Sequence, residues 1–271
     1  MAFFFRLIVC FALVVMLAPT ILSFSLSPRG LATRSPSQTC ADARTATQQS
    51  LFPTPTADYT QAAKVLFSNI IGPAALLTGG LVPFGFLSAP LSTQNQPGKR
   101  RARAVFQTLA VTSVLNEVLA IIYATVASNS LTRVTHQPAT SVFALVQRDY
   151  ELAWVATNVH FFLGLFGFGG MVMTFALCSY PKSLASSTCG LAASALLGMA
   201  SIVNVGVVQG DGQGRRLGDN ILSLAIRYMV LSFRSFVKQK TVLGMLSFGM
   251  FVVFGYQTLR NILYPAEQED T

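Results

Sequence analysis

The sequence predicts an all-α integral membrane protein of about five transmembrane helices, with one basic amphipathic helix lying in the interface. Three observations predict it. Of 271 residues, 52% are apolar and 11% charged, and the mean hydropathy is +0.54, whereas a soluble domain carries about 25% charged residues. The apolar residues fall in runs close to the ~20 residues that a helix needs to cross a bilayer. The basic residues, part of 19 Lys and Arg against 10 Asp and Glu, stand in short clusters beside those runs, as membrane-flanking loops do. A soluble fold and a disordered chain are excluded. The net charge of +9 has no soluble domain to carry it, so the expected partner is the lipid bilayer and not a nucleic acid.

The chain opens with Arg6, an apolar core that ends before Pro19, and the small Ser23. This is the layout of a signal peptide over residues 1–23, with an uncleaved anchor as the alternative. Residues 24–60 are rich in serine and threonine, carry Arg29, Arg34 and Arg44, and have only Asp42 and Asp58 as acids. Arg- and Ser-rich, acid-poor composition is that of an organelle transit segment. With Phe24 directly after Ser23, the region resembles the bipartite plastid presequence of diatoms and related algae, whose junction carries an aromatic residue, usually Phe. Leu26 and Ser27 depart from the usual Ala-Phe-Ala-Pro run before Pro28. The resemblance covers the N-terminal region alone and implies a plastid membrane, thylakoid or envelope. An ER or secretory-pathway membrane is the competing address.

The helical membrane domain is expected over residues 61–264. The first span, about 65–91, carries Gly72-Pro73, Gly79-Gly80, Pro83 and Pro90 and is expected to kink, since such breakers are tolerated where neighbouring helices satisfy the freed backbone. Lys99, Arg100, Arg101 and Arg103 end the following loop, and the second span runs about 104–128. The next loop holds His136 and the run Arg148-Asp149-Tyr150-Glu151, with a short interfacial helix over 141–147. Spans at 152–177 and 184–208 are joined by a tight turn at Pro181-Lys182. The glycine-rich Gly210–Arg216 reads as a flexible loop, because a phosphate cradle needs a preceding strand. A last span at 242–264 leads into an acidic tail, 265–271.

Residues 219–238 are amphipathic. At 100° per residue, Asn220, Ser223, Arg227, Arg234 and Lys238 fall within about 60° of one another, opposite Ile221, Ala225, Met229, Phe233 and Phe236. A basic stripe opposite an apolar one is the pattern of a helix in the headgroup region. Arg227, Arg234 and Lys238 are its lipid-interface cations. A sixth span is the alternative.

Ionisable residues inside a span are costly and mark sites by default. Two lie there: Glu117 and His160. Each falls in a stripe of small residues at helical spacing: Ala110, Ser113, Glu117, Ala120, Ala124 and Ala127 on one span, and Ala153, Thr157, His160, Gly164 and Gly167 on the other. Small residues mark close helix approach. Glu117 lies about 16 Å of helix from one span end and His160 about 12 Å from the other, so antiparallel helices place both near mid-membrane. Asn116 and Asn158 supply further polar groups. The intramembrane site is therefore Glu117, His160, Asn116 and Asn158, with three readings: a paired structural clasp, a proton or ion path, or axial ligation of a pigment or haem by His160. No cofactor or metal is predicted, and pigment or haem stays open.

Gly190, Ser194 and Gly198 repeat every four positions and form a second packing face, opposite Gly164 and Gly167 of the preceding span or against a partner subunit or second copy. Cys178 and Cys189 lack metal or redox spacing. HExxH, GxSxG and P-loop patterns do not occur, and SxxK arises twice, at Ser179–Lys182 and Ser235–Lys238. The first of these contains Pro181, which breaks the helical geometry of a Ser–Lys dyad. The expected function is a multi-pass plastid membrane protein without catalysis of its own, serving as an assembly, scaffold or accessory subunit. The alternatives are a small ion, proton or solute carrier using Glu117 and His160, and a pigment- or haem-binding subunit.

Overall fold

The structure is a computed structural model that describes residues 57–87, 97–208, 221–239 and 242–263. The presequence over 1–56, the glycine-rich loop at 210–216 and the acidic tail lie outside the described residues. So do the side chains of Lys99, Arg100, Arg101 and Lys238.

Helix α1 spans Thr60–Val82. Asp58 accepts the Thr60 amide at its start (2.9 Å), and those Thr60 hydrogen bonds, side chain then amide, hold the Asp58 carboxyl below its ordinary range. Pro73 sits inside α1. At Pro83 the α-helix gives way to a π-helical turn, Pro83–Leu87, because proline has no amide to donate and its ring crowds the preceding turn. The expected kink thus takes the form of a change of helix type.

Helix α2 spans Pro97–Arg133, longer at both ends than the expected 104–128. The helix continues through 97–103 at one end and 129–133 at the other, where Arg103 and Arg133 are exposed, since a charged head can stay in water on an apolar stem. Paired amides of Ala57 and Ala139 (3.0 and 3.1 Å) tie the loop after α2 to the start of α1. Helix α3, Val142–Asp149, is capped by Ser141, whose side chain accepts from the Ala144 amide (3.1 Å). Helix α4 spans Glu151–Ser179. Tyr180 is extended (φ −105°, ψ 156°), as a residue before proline prefers. After Pro181, helix α5 runs Lys182–Val208. Helices α6, Ile221–Gln239, and α7, Val242–Leu263, complete the described residues.

Four of these segments are long and apolar enough to cross a membrane among the described residues: Thr60–Phe86, Ala102–Arg133, Glu151–Ser179 and Lys182–Ser201. The distribution of polarity agrees with that reading. Leu76 is 80% exposed, Leu191 73% and Leu197 69%, whereas Glu117 and His160 are fully buried. A soluble protein would hide the leucines and expose the charges. The chain is an all-helical membrane protein.

The bundle is centred on α2 and α4, which make its most extensive contact; α1 packs on α2, and α5 and α6 pack on α4. The small-residue stripes form that central seam. Ala110, Ser113, Ala120, Ala124 and Ala127 are all at most 1% exposed, and Ala153, Thr157, Gly164 and Gly167 are buried on α4. Without water to drive association, close backbone approach supplies the attraction through dispersion. The approach is tightest at Gly164, whose Ser113 partner donates its hydroxyl to the Gly164 carbonyl (2.5 Å). A Cβ at Gly164 would land on the Glu117 carboxyl. Three apolar clusters flank the seam. One gathers Phe67, Leu131 and Leu145 from α1, α2 and α3; one joins Tyr123, Val155 and Leu163 to Leu224 and Tyr228 of α6; one joins Leu81, Phe106 and Met171.

Replacing Gly164 with Ala should lower stability in detergent by about 1–3 kcal/mol, the range for overpacking. In a Glu117→Ala background the same substitution should cost much less, because the carboxyl it strikes is gone. Equal losses of melting temperature in both backgrounds would show that α2 and α4 do not meet at this pair.

Candidate functional site

The seam carries the intramembrane polar residues. Asn116 lies on α2 beside Glu117, and both are buried, Asn116 at 2% exposure. The Asn116 amide nitrogen donates to the Thr112 carbonyl one turn earlier (2.7 Å). That bond fixes the carboxamide, so its oxygen faces α4 as an acceptor. The Asn116 oxygen lies 2.7 Å from His160 Nδ1, and Tyr228 Oη of α6 lies 2.7 Å from His160 Nε2. An acceptor-only oxygen on Nδ1 requires that nitrogen to carry the proton. The neutral ring then offers its Nε2 lone pair, and Tyr228 donates to it. Tyr123 stacks on the imidazole (centroids 5.7 Å apart, planes 12°), and Tyr228 meets it edge-on (5.2 Å, 78°).

His160 therefore ties three helices together: its own α4, α2 through Asn116, and α6 through Tyr228. A metal or pigment taking His160 as an axial ligand would have to displace Tyr228 from Nε2 or Asn116 from Nδ1. Among the described residues no three His, Cys, Asp or Glu side chains gather as a metal site.

Glu117 and His160 lie on one seam but form no hydrogen bond with each other. Both Glu117 carboxyl oxygens lack a hydrogen-bond partner among the described residues. The Glu117 side chain instead packs on the bare Cα of Gly164. Asn158 turns away from the cluster and donates to the Trp154 carbonyl of its own helix (2.8 Å). So the structure joins Asn116 to His160 and leaves Glu117 and Asn158 out of the network.

Helix α6 carries the residue that the sequence reading passed over, Tyr228. It is fully buried with Leu224, Ala225 and Ser232, a face about 100° from the basic stripe. The outward apolar face holds Leu222, Ile226, Val230 and Phe233, between 45 and 62% exposed. The helix thus has three faces, and Ala225, expected on the lipid side, packs inward against α4. The signal for Tyr228 was the one tyrosine of an amphipathic helix, since a buried Tyr needs a partner. Arg227, next in chain, takes the other polar contact. Its Nε donates to Glu151 Oε1 (2.6 Å), with a second contact from Nη2 to the same oxygen. Arg227 is half-buried against α4, and Arg234 is exposed. Residues 151 and 160 lie about 14 Å apart along α4, so two adjacent α6 side chains clamp that helix at two depths.

A surface cluster borders the seam. Arg148 donates to both Asp149 oxygens (3.0 and 2.9 Å) and to the Gln137 carbonyl (3.0 Å). His136 lies 3.5 Å from Asp149 and 3.3 Å from the Tyr150 hydroxyl. Hydrogen bonding to Asp149 raises Arg148 above its ordinary value, and burial raises Tyr150. The cluster fastens the loop before α3 to the end of that helix.

On α5 the glycine stripe faces away from the bundle. Gly190, Ser194 and Gly198 are exposed, and among the described residues no neighbouring helix comes within 4 Å of a Cβ built at Gly190 or Gly198. The expected packing of these three against the preceding helix is absent, while Gly164 and Gly167 do pack, against Glu117 and Ser113. Helix α5 meets α4 on its opposite side, where Leu196 fills the space over Gly169 and Cys189 faces the Met173 carbonyl. Cys178 and Cys189 are not joined in a disulfide.

Compared with known protein families, curated proteins and solved structures, the chain matches none.

Replacing Tyr228 with Phe removes one hydroxyl and leaves His160 Nε2 unmet. Membrane hydrogen bonds average ~0.6 kcal/mol, with a maximum near 1.7, so the loss should fall in that range by melting in detergent. In a His160→Leu background the same substitution should cost clearly less. An undiminished cost there would show that the hydroxyl does not serve His160.

Proposed function

We propose that the chain is a multi-pass plastid membrane protein of five spans, α7 being the fifth, that works as a non-catalytic subunit of a membrane-protein assembly. One observation carries this reading: the outward Gly190–Ser194–Gly198 face of α5. Only 6% of the span-length window of α5 is buried, against 44% for α4. Toward lipid, a glycine-lined face offers little contact area. Against another helix it permits close backbone approach, and that is where small residues at this spacing stabilise membrane association. The polar site favours the same reading over a proton path. Both His160 nitrogens are engaged by groups that hold helices together, and Glu117 has no hydrogen-bonded neighbour among the described residues to receive or pass a proton.

Gly190→Leu with Gly198→Leu tests the assembly. Both positions open onto free space, so the double variant should melt like the wild type. In native gels of solubilised membranes, wild type should migrate in a complex and the variant at the size of a single chain. Identical migration of the two would refute the α5 face as the contact.

The plastid address rests on the Ser23-Phe24 junction and the acid-poor segment behind it. Residues 1–60 fused to a fluorescent reporter should reach the plastid of a diatom, and residues 1–23 alone should stop in the ER. Phe24→Ala should block the longer fusion. Delivery of the longer fusion to the cell surface would overturn this address.

A further inference from the structure

On the outer side of the bundle, α1, α4 and α5 enclose a groove of about 470 Å³, within the size range of ligand sites. Its floor is built from Leu81, Phe84, Phe168 and Phe175. The Phe84 ring lies 6.4 Å from Phe168 and 5.6 Å from Phe175, so the rings brace one another and the groove does not close by simple side-chain collapse. Its rim includes Leu76, which is 80% exposed, so the groove opens sideways, toward the bilayer. An apolar cavity of this kind does not hold water.

Tyr180 and Thr188 are the lining residues with side-chain hydroxyls. Tyr180 ends α4 at the turn before Pro181, whereas Thr188 lies six residues into α5 and donates its hydroxyl to the Leu184 carbonyl of its own helix (2.9 Å), so the uncommitted polarity lies at the turn. Exposed Lys182 stands two residues beyond Tyr180. The sequence holds no Asp or Glu between Glu151 and Asp211, so no acidic residue on α5 or the adjoining turn offsets that charge. The groove is apolar along its length, with Tyr180 at its mouth and a cation just outside.

The geometry points to a binding site for one anionic phospholipid, with an acyl chain in the groove and its phosphate near Tyr180 and Lys182. The order of polarity along the groove is that of an amphiphile whose tail lies at depth and whose head lies at the membrane surface. Lys182 selects a negative headgroup, because a surface cation attracts anionic lipid. This site is independent of the α5 assembly face, which lies on the other side of that helix.

Gly80 provides the test. It lines the groove, and no atom lies within 4 Å of a Cβ built there. A Cβ at 80 meets no described atom, so a leucine there extends into the groove. Gly79 is equally open but does not line the groove, so Gly79→Leu controls for the gain in helix propensity. The full chain is placed in nanodiscs of phosphatidylcholine with a minority of phosphatidylglycerol, extracted, and examined by native mass spectrometry.

Wild type and Gly79→Leu should retain one phosphatidylglycerol. Gly80→Leu should reduce that retention about tenfold, the scale of losing one side chain's worth of apolar contact, while melting at least as high. Lys182→Gln should keep a bound lipid and lose the preference for phosphatidylglycerol. Should Gly80→Leu not fold, Thr188→Leu, which narrows the groove from the α5 side, must give the same loss. Retention by Gly80→Leu equal to that of Gly79→Leu overturns the site. So does a wild type that retains no lipid, or a retained molecule that is a pigment or another compound without a phosphate. Equal retention of phosphatidylcholine and phosphatidylglycerol by the wild type overturns the anionic assignment.

Discussion

Water does not reach position 160. An imidazole buried in the middle of a helical seam has two ring nitrogens, and in a bilayer each must find its partner within the protein. Asn116 and Tyr228 are those partners, and the arrangement of three helices follows from them. The bond to Asn116 sets the register of α2 against α4, because the carboxamide is already fixed by the Thr112 carbonyl. The bond to Tyr228 brings α6 down onto α4, and the Arg227–Glu151 contact holds the same helix nearer the surface. Removing either partner leaves an unmet nitrogen in a place with no solvent to meet it. The glycine seam supplies the close approach, and these polar contacts fix which approach is made.

Much of this was legible in the sequence, and the legible part has a physical reason. The stripes at 110–127 and 153–167 could be read because membrane helices pack through small residues at helical spacing, and a spacing is visible without knowing the partner. The polar positions 116, 117 and 160 stood out because charged and amide groups are rare in apolar runs. The pairing among them was not visible. Asn116 and Glu117 are adjacent in sequence and so point about 100° apart on α2; whichever faces His160, the other does not. The choice depends on the rotation of α2, and that rotation is set by Gly164 and Ser113.

Tyr228 was hidden for a different reason. Amphipathicity reports two faces, and α6 has three: one toward α4, one basic, one toward lipid. The hydroxyl of a single tyrosine scarcely alters an apolar average, so the packing face merges with the lipid face in any two-way division. The glycines of α5 were hidden in the opposite sense. Gly164 and Gly190 look alike in sequence, but Gly164 meets Glu117 and Gly190 meets open space. A small residue declares that something can approach closely. It does not say whether that something belongs to the same chain.

Glu117 and His160 then come apart as two different kinds of buried residue. His160 is fully satisfied and stabilises the bundle through its partners. Glu117 is satisfied by nothing among the described residues. The hydroxyl of Ser113, one turn earlier on the same face, has already committed its proton to the Gly164 carbonyl and so cannot donate to the carboxyl. An unpaired ionised carboxylate in such a place costs several kcal/mol, and a neutral carboxyl without partners still forfeits its hydrogen bonds. What Glu117 does contribute is volume: its side chain covers the bare Cα of Gly164 and fills the space that a Cβ there would take. The strength of the site therefore lies with the histidine and its cost with the glutamate, one helix turn of α4 apart.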